Sequence, residues 1–357
     1  MLKKLLIDAT EQFNNQPKAL LKILGLTLLE RLLLSAQKVG IKDISILTLN
    51  DQTKIWQSLN TKRFSNLSLQ LFNAKDTQIN QQNFDIILAV DAIPNPLSCD
   101  SLSIIHNGIN SNADIREAEK QLLKKGRKLT DGIISRNFNR YISLFFTQYL
   151  AKTPINPNQF TVIVLFIGVL STMFITSPYY PLYILGLILY KMTSILDGCD
   201  GELAKLKYRG SKLGEWMDTI CDNLTTLLFL IGISIVNYRI YHTHFDYFLG
   251  MLSSSMYFIS VIFLMATLYL KNGSGSLVSL NSKFKNNKGK TTAFFAQIIR
   301  RDFFALFFIV MGLLNLHRII LSINLIATFC VFIFACKNVG SLLRDRRLAK
   351  ESITVIE

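Results

Sequence analysis

Beyond residue 155 the chain passes through six apolar runs, near 160–177, 179–196, 215–237, 248–270, 302–317 and 319–336. About 20 apolar residues cross the hydrocarbon of a bilayer, and there each backbone polar group must be satisfied within its own segment, so runs of this kind fold as helices. The second and fifth runs are marginal in length, and the last two are separated only by His317-Arg318, which reads as a helical hairpin. A mean hydropathy of +0.32 over 357 residues points the same way. The expected architecture is a multi-pass α-helical membrane protein with six transmembrane helices, preceded by a small N-terminal α/β domain.

The net charge of +15 is unevenly spread. Lys205, Lys207, Arg209 and Lys212 lie between runs two and three. Lys271, Lys283, Lys285, Lys288, Lys290, Arg300 and Arg301 lie between runs four and five, and Lys337, Arg344, Arg346, Arg347 and Lys350 follow run six. The opposite connections hold little beyond Arg239 and Arg318. By the positive-inside rule both termini are cytoplasmic and the chain sits in the cytoplasmic membrane, its basic loops facing anionic headgroups. No basic stretch is read as interleaving exposed aromatic residues, so nucleic acid is not the expected partner; membrane lipid is. Cys99, Cys199, Cys221, Cys330 and Cys336 form no CxxC pair and read as small apolar fillers in a reducing compartment. Met1-Leu2-Lys3-Lys4-Leu5-Leu6-Ile7 turns polar at once, so no signal peptide is expected.

Residues 1–112 differ in pattern from the rest. Leu5-Leu6-Ile7, Ile44-Ser45-Ile46-Leu47, Leu69-Gln70-Leu71 and Ile86-Ile87-Leu88-Ala89-Val90 are candidate buried strands, and Leu26 to Lys38 has helical apolar spacing. Strands alternating with helices argue for a parallel sheet. Residues 113–152 are expected to form a linker and an amphipathic helix, 132–152, at the membrane surface. The six-helix domain is expected over 153–340 and a cytoplasmic tail over 341–357, with its last dozen residues frayed. Gly273 to Gly289 reads as a flexible loop.

Between runs two and three stands Asp197-Gly198-Cys199-Asp200-Gly201-Glu202-Leu203-Ala204-Lys205, followed eight residues later by Gly214 and then Asp218 and Asp222. A carboxylate near the membrane interior costs roughly 2.5–3.5 kcal/mol, so four need compensation. Asp197 and Asp200 are three apart and Asp218 and Asp222 four apart, so each pair shares one helical face. Four such charges are balanced by two Mg²⁺ ions, and an all-oxygen set suits a hard cation, Mg²⁺ or Mn²⁺. Two metals at one site stabilise an in-line displacement at phosphorus. Gly201, Ala204 and Gly214 leave room for a ligand at the backbone.

These residues resemble the signature of the CDP-alcohol phosphotransferases, D-x2-D-G-x2-A-R-x8-G-x3-D-x3-D. Asp197, Asp200, Gly201, Ala204, Gly214, Asp218 and Asp222 match it position by position, and Lys205 stands where the family usually has Arg, keeping the charge but losing the bidentate fork. The resemblance covers roughly 150–340 and implies an enzyme that transfers a substituted phosphate from a CDP-alcohol to an acceptor alcohol, forming a phosphodiester and releasing CMP. It implies that Asp197, Asp200 and Asp218 bind metal, that Asp222 is the general base and also touches a metal, and that Asp197, Asp200, Gly201, Ala204, Lys205 and Gly214 line the nucleotide site. It also implies an inositol-phosphate-like or glycerol-phosphate-like acceptor and a homodimer. Pro157-Asn158-Gln159-Phe160-Thr161 resembles the family's entry to the first span and is assigned positioning only.

The stretch from Pro17-Lys18-Ala19-Leu20 through Gly25, Leu28-Leu29-Glu30-Arg31 and Ile44 to Thr48 resembles the start of a sugar-nucleotidyltransferase domain, with Asp91 where that family binds metal. The phosphate loop that should precede it is absent: Asp8 to Gln16 holds no glycine. Lys18 and Asp91 therefore read as remnants of a CTP site or as ordinary loop residues, the second being preferred, and the domain as a degenerate cytidylyltransferase serving as scaffold. The fusion is similar to prokaryotic proteins that couple CDP-inositol to inositol phosphate, and Arg116 to Leu123 with Thr130-Asp131-Gly132 and Ser135-Arg136 resembles their junction. Arg301, beside Arg300, is the candidate grip for an acceptor phosphate, with anchoring in headgroups as the equal alternative; Arg136 and Arg140 share that ambiguity. His106, His242, His244 and His317 are not expected to converge. Two alternatives stay open: a phospholipid synthase using a lipid CDP-donor, and a non-enzymatic cation transporter or nucleotide-binding scaffold.

Overall fold

The computed structural model describes residues 4–49, 52–59, 61–75, 83–97, 102–106, 108–125, 139–272 and 301–354. The chain divides into two compact units, one of Met1–Leu129, Leu144–Ile155 and Glu202–Arg209, the other of Thr130–Ser143, Asn156–Gly201 and Gly210–Glu357.

In the first unit the expected strands form one parallel sheet. β1 (Lys4–Asp8), β2 (Asp43–Thr48), β3 (Ser68–Asn73) and β4 (Ile86–Ala89) stand in the order β3-β2-β1-β4, with Leu5 opposite both Ile44 and Ile86. Leu5, Leu6 and Ile7 are all buried, as a central strand covered on both faces requires. Helix α1 (Leu28–Val39) starts at a capping box, with Thr27 and Glu30 each accepting from the other's backbone N–H, and stops at Gly40, whose φ of 88° is left-handed. α2 (Gln52–Ser58) and α3 (Asn112–Lys125) are further helices of this unit.

This unit is not confined to residues 1–112. Its core also takes in Ala151 from helix α4 (Arg140–Lys152) and Leu203 and Leu206 from the end of helix α6 (Tyr180–Leu206), all at most 1% exposed. A sheet of four short strands buries little surface by itself, and the borrowed apolar side chains close its core. At the turn before α1, Gly25 has φ +80° and a Cβ there would overlap the carbonyl oxygen of Ala151, so the close approach of α4 needs glycine.

The second unit is helical. α5 (Pro157–Ile175), α6, α7 (Lys212–Tyr241), α8 (His244–Asn272) and α10 (His317–Thr354) are long and apolar enough to cross a membrane. The expected count of six is not confirmed: among the described residues α9 (Arg301–Leu313) has a shorter apolar stretch, Phe304–Leu313, about 15 Å long at 1.5 Å per residue. The turn of the expected hairpin falls before His317, at Asn315, which has φ 58°. α10 runs unbroken through Thr354, past the expected domain end at 340 and through most of the segment expected to fray. α7 packs on α5 and α8, and α8 on α10. An aromatic stack, Tyr190 on Phe229 at 4.0 Å and Phe229 on Phe308 at 5.2 Å, fills the core between α6, α7 and α9.

The expected amphipathic helix of 132–152 lies partly outside the described residues, as do Arg136, Cys99 and the 273–300 loop. Its described part, α4, buries Ser143, Thr147 and Ala151 and exposes Tyr141, Phe145 and Tyr149, an aromatic stripe at i, i+4, i+8.

Candidate active site

The four aspartates come together because both motif halves are helical. α6 continues ten residues past the expected end of its apolar run, so Asp197 and Asp200 lie on it one turn apart. Residues 207–211 reverse the chain, helped by Tyr208 at φ 53°. Ser211 then caps α7 by accepting from the Gly214 N–H at 3.0 Å, and Asp218 and Asp222 follow on its next turns.

Asp218 lies within hydrogen-bonding reach of Asp200 and Asp197, and Asp222 is close enough for its charge to act on Asp200 and Asp218. Asp200 is 7% exposed and accepts a 2.6 Å hydrogen bond from Thr161 Oγ1 on α5. Asp218 Oδ1 is buried with no hydrogen-bond partner among the described residues. Beside Asp222, Asn223 is held at both ends: its Nδ2 donates to the Thr219 carbonyl at 2.6 Å and its Oδ1 accepts from Tyr257 OH at 2.9 Å.

Two like charges about 4 Å apart repel by about 4 kcal/mol at an effective dielectric of about 20. Among the described residues no lysine or arginine forms an ion pair with Asp200 or Asp218. A clustered, oxygen-only donor set with an orphaned buried oxygen fits a hard divalent cation in composition and proximity. The coordination shell is not closed: among the described residues no three His, Cys, Asp or Glu side chains are already placed to hold an ion.

Of the two signature glycines, Gly201 leaves space and Gly214 does not. A Cβ on Gly201 would meet nothing within 4 Å, whereas one on Gly214 would press on Asn158 Oδ1 at 2.9 Å. Ala204 and Lys205 are half-buried on the last turn of α6. Arg300 and the Arg301 side chain lie outside the described residues. Arg140 is buried, its Nη1 3.9 Å from where a Cβ on Gly198 would stand. Sequence reading missed Lys191, 5% exposed on α6 ahead of Asp197, although a lysine inside an apolar run is a visible signal. Thr161 was quoted only as part of a helix entry, and its partner, 39 residues away, has no local signature.

In the α/β unit Lys18 and Asp91 do converge. Lys18 Nζ donates to Asp91 Oδ2 at 3.2 Å, to Asn110 Oδ1 at 3.0 Å and to Glu11, and Asp91 also accepts from the Ile109 N–H at 3.0 Å. Glu11 follows β1 and Asp91 follows β4, the place where the strand order reverses and open α/β sheets bind ligands. Here two carboxylates occupy the lysine that a phosphate would need.

Residues 154–333 match the CDP-alcohol phosphatidyltransferase family. The chain is 31% identical over 227 residues to the bifunctional IPC transferase and DIPP synthase of Thermococcus kodakarensis, covering 62% of this chain and 50% of that protein. It is 35% identical over 128 residues to the protein of the same name from Aquifex aeolicus, 36% of this chain and 29% of the relative. A shorter match, 35% over 107 residues and 26% of each chain, is to cholinephosphotransferase 1 of Bos taurus. The chain thus spans half or less of the length of these relatives.

Proposed function

The chain belongs to the CDP-alcohol phosphatidyltransferase family, and from that premise we propose that it transfers a substituted phosphate from a CDP-alcohol to an acceptor alcohol, forming a phosphodiester and releasing CMP. The observation that carries this reading is the convergence of Asp197, Asp200, Asp218 and Asp222 around an unpartnered buried Asp218 oxygen.

Asp197, Asp200, Asp218 and Asp222 would hold the divalent cations, two Mg²⁺ or Mn²⁺ ions. Bound there, such ions neutralise the diphosphate and the charge that develops on the entering and leaving oxygens. The protein's own part is to orient and to move a proton. Thr161 keeps Asp200 in place, and the open space at Gly201 admits the nucleotide, with Ala204, Lys205 and Gly214 completing its site. The acceptor oxygen attacks the phosphorus that carries the donor alcohol, the bond to the bridging oxygen of the diphosphate breaks, and CMP leaves. The hydroxyl proton passes to the Asp222 carboxylate. A carboxylate is a weak base for an alcohol, so this transfer runs late along the reaction.

An inositol-phosphate-like or glycerol-phosphate-like acceptor rests on the resemblance to the IPC transferase and DIPP synthases, and buried Arg140 beside Gly198 supports an anionic one. A phospholipid synthase using a lipid CDP-donor is the second reading, and CDP-diacylglycerol in the assay below tests it. The homodimer rests on family resemblance alone. Placement in the cytoplasmic membrane, with both termini and the motif on the cytoplasmic side, follows from the basic loops.

The test is CMP release by detergent-solubilised protein with Mg²⁺ or Mn²⁺ against CDP-inositol, CDP-glycerol and CDP-diacylglycerol, paired with inositol phosphate and glycerol phosphate. One productive pair, silenced by EDTA, is expected. Asp222→Asn should lower turnover about 10²–10⁴-fold while nucleotide binding persists. An active Asp222→Asn enzyme removes the base assignment, and metal-dependent nucleotide binding without CMP release favours a scaffold.

A further inference from the structure

The α/β unit holds the last turn of α6 by more than apolar contact. Arg31, on the second turn of α1, is fully buried; its Nη2 donates to the Ile23 carbonyl at 2.8 Å and its Nη1 to the Leu206 carbonyl at 3.2 Å. One turn on, Ser35 Oγ pairs with Tyr208 OH at 2.6 Å. The Arg63 guanidinium donates to the Lys207 carbonyl. Lys207, 7% exposed, donates to the carbonyls of Thr153 at 2.6 Å and Ile155 at 2.9 Å. Leu203 and Leu206 are buried in the same core as Leu32 and Leu33.

A helix ends with carbonyls that have no partner within it, and its C-terminus carries partial negative charge. Two arginines from the α/β unit satisfy that end of α6. Fully buried arginine is rare and costly unless each contact is needed to hold a backbone in one place. Meanwhile Lys18 is taken up by Glu11 and Asp91.

We propose that Arg31, helped by Arg63, forms a clamp within the first unit: it caps the C-terminus of α6 and sets the position of Ala204 and Lys205, so that Arg31 is a positioning residue for donor binding. The inference rests on the reading of α6 and α7 as the nucleotide site. The clamp fixes the backbone of residues 202–209, whose last turn bears the one basic residue of the signature.

The experiment uses the full chain in detergent. Arg31→Met, Arg31→Lys and Arg63→Ala are compared with the parent by hydrogen exchange of the 202–209 amides and by kcat and KM for the CDP-alcohol. Arg31→Met is expected to speed exchange of 202–209 at least tenfold while β1 and β2 stay protected, and to raise KM about tenfold with kcat within threefold. Arg31→Lys, which keeps one donor and the charge, should recover part of both. Unchanged 202–209 exchange, or a loss of activity that only tracks a lower melting temperature, overturns the proposal. Should Arg31→Met fail to fold, Arg63→Ala decides: a KM rise at unchanged melting temperature supports the clamp, and parental KM overturns it. If the parent releases no CMP from any donor, the functional reading fails, while exchange at 202–209 still tests the clamp.

Discussion

A short hydrogen bond from a neighbouring helix helps to hold Asp200, and that bond separates side-chain geometry from side-chain identity. Thr161 Oγ1 donates to Asp200 Oδ2 at 2.6 Å from a different helix. Groups that orient a metal ligand are commonly worth 10–100-fold in affinity or activity. Thr161→Val keeps the side-chain shape and removes the donor; it is expected to weaken Mg²⁺ activation about 10–100-fold with little change in melting temperature, measured by titrating Mg²⁺ against CMP release. An unchanged Mg²⁺ requirement assigns Thr161 to packing. Gly201 gives a complementary test. A Cβ there meets no protein atom within 4 Å, so Gly201→Ala costs the fold nothing sterically and gains a little helix propensity. If the donor uses that space, KM for the CDP-alcohol rises several-fold at unchanged stability, and an unaltered KM places the nucleotide elsewhere. The aspartates were readable because helical period turns their spacing into a shared face. Thr161 was assigned positioning without a partner and Lys191 was missed, because what they touch depends on which helices pack together.

The elements carry their own start and stop signals, and the clearest is at α3. Asp114 accepts from the N–H groups of Asn110 and Ser111, both at 2.8 Å, and Ser111 Oγ accepts from the Asp114 N–H at 3.2 Å. These hydrogen bonds, the Asn110 N–H first, hold the Asp114 carboxyl below the usual carboxylate range. A depressed value stabilises the folded state fully above the unfolded value of about 3.9, and the benefit disappears as pH falls from there through the lowered value. Amide exchange in 112–125, corrected for intrinsic rate, should therefore quicken below about pH 3.9, and Asp114→Asn should show the faster exchange already at neutral pH. Equal protection in both proteins at neutral pH removes the cap from the account. The strands were legible at this scale because β1 and β2 are short apolar runs, and α1 because Thr27, Glu30 and Gly40 mark its ends. The end of α6 was not, since hydropathy falls at Leu196 while the helix continues to Leu206 through polar residues. The sixth span is not confirmed for the opposite reason: apolar residues 302–317 include the turn at Asn315, and among the described residues the stretch there that is both apolar and helical is Phe304–Leu313.

For the whole molecule, a cation held by the carboxylate cluster would link folding to cation binding. An ion that binds only the folded state adds about 2.7 kcal/mol at a hundredfold excess over its Kd. Mg²⁺ or Mn²⁺ should raise the melting temperature of the solubilised protein, EDTA should reverse the gain, and Asp218→Ala should abolish it. A melting temperature indifferent to both cations would sink the metal site whatever the activity. A reader of the chain alone could recover the membrane-spanning character, the parallel sheet and the seven signature positions, because hydropathy, alternation and helical spacing are properties of neighbours along the chain. Packing alone decided that Leu203 and Leu206 complete the core of the α/β unit, that Arg31 reaches a carbonyl 175 residues away, and that Lys18 is taken by Glu11 and Asp91. Each of those contacts joins residues whose meeting depends on how several elements fill one volume, and nothing in either partner's local sequence encodes that.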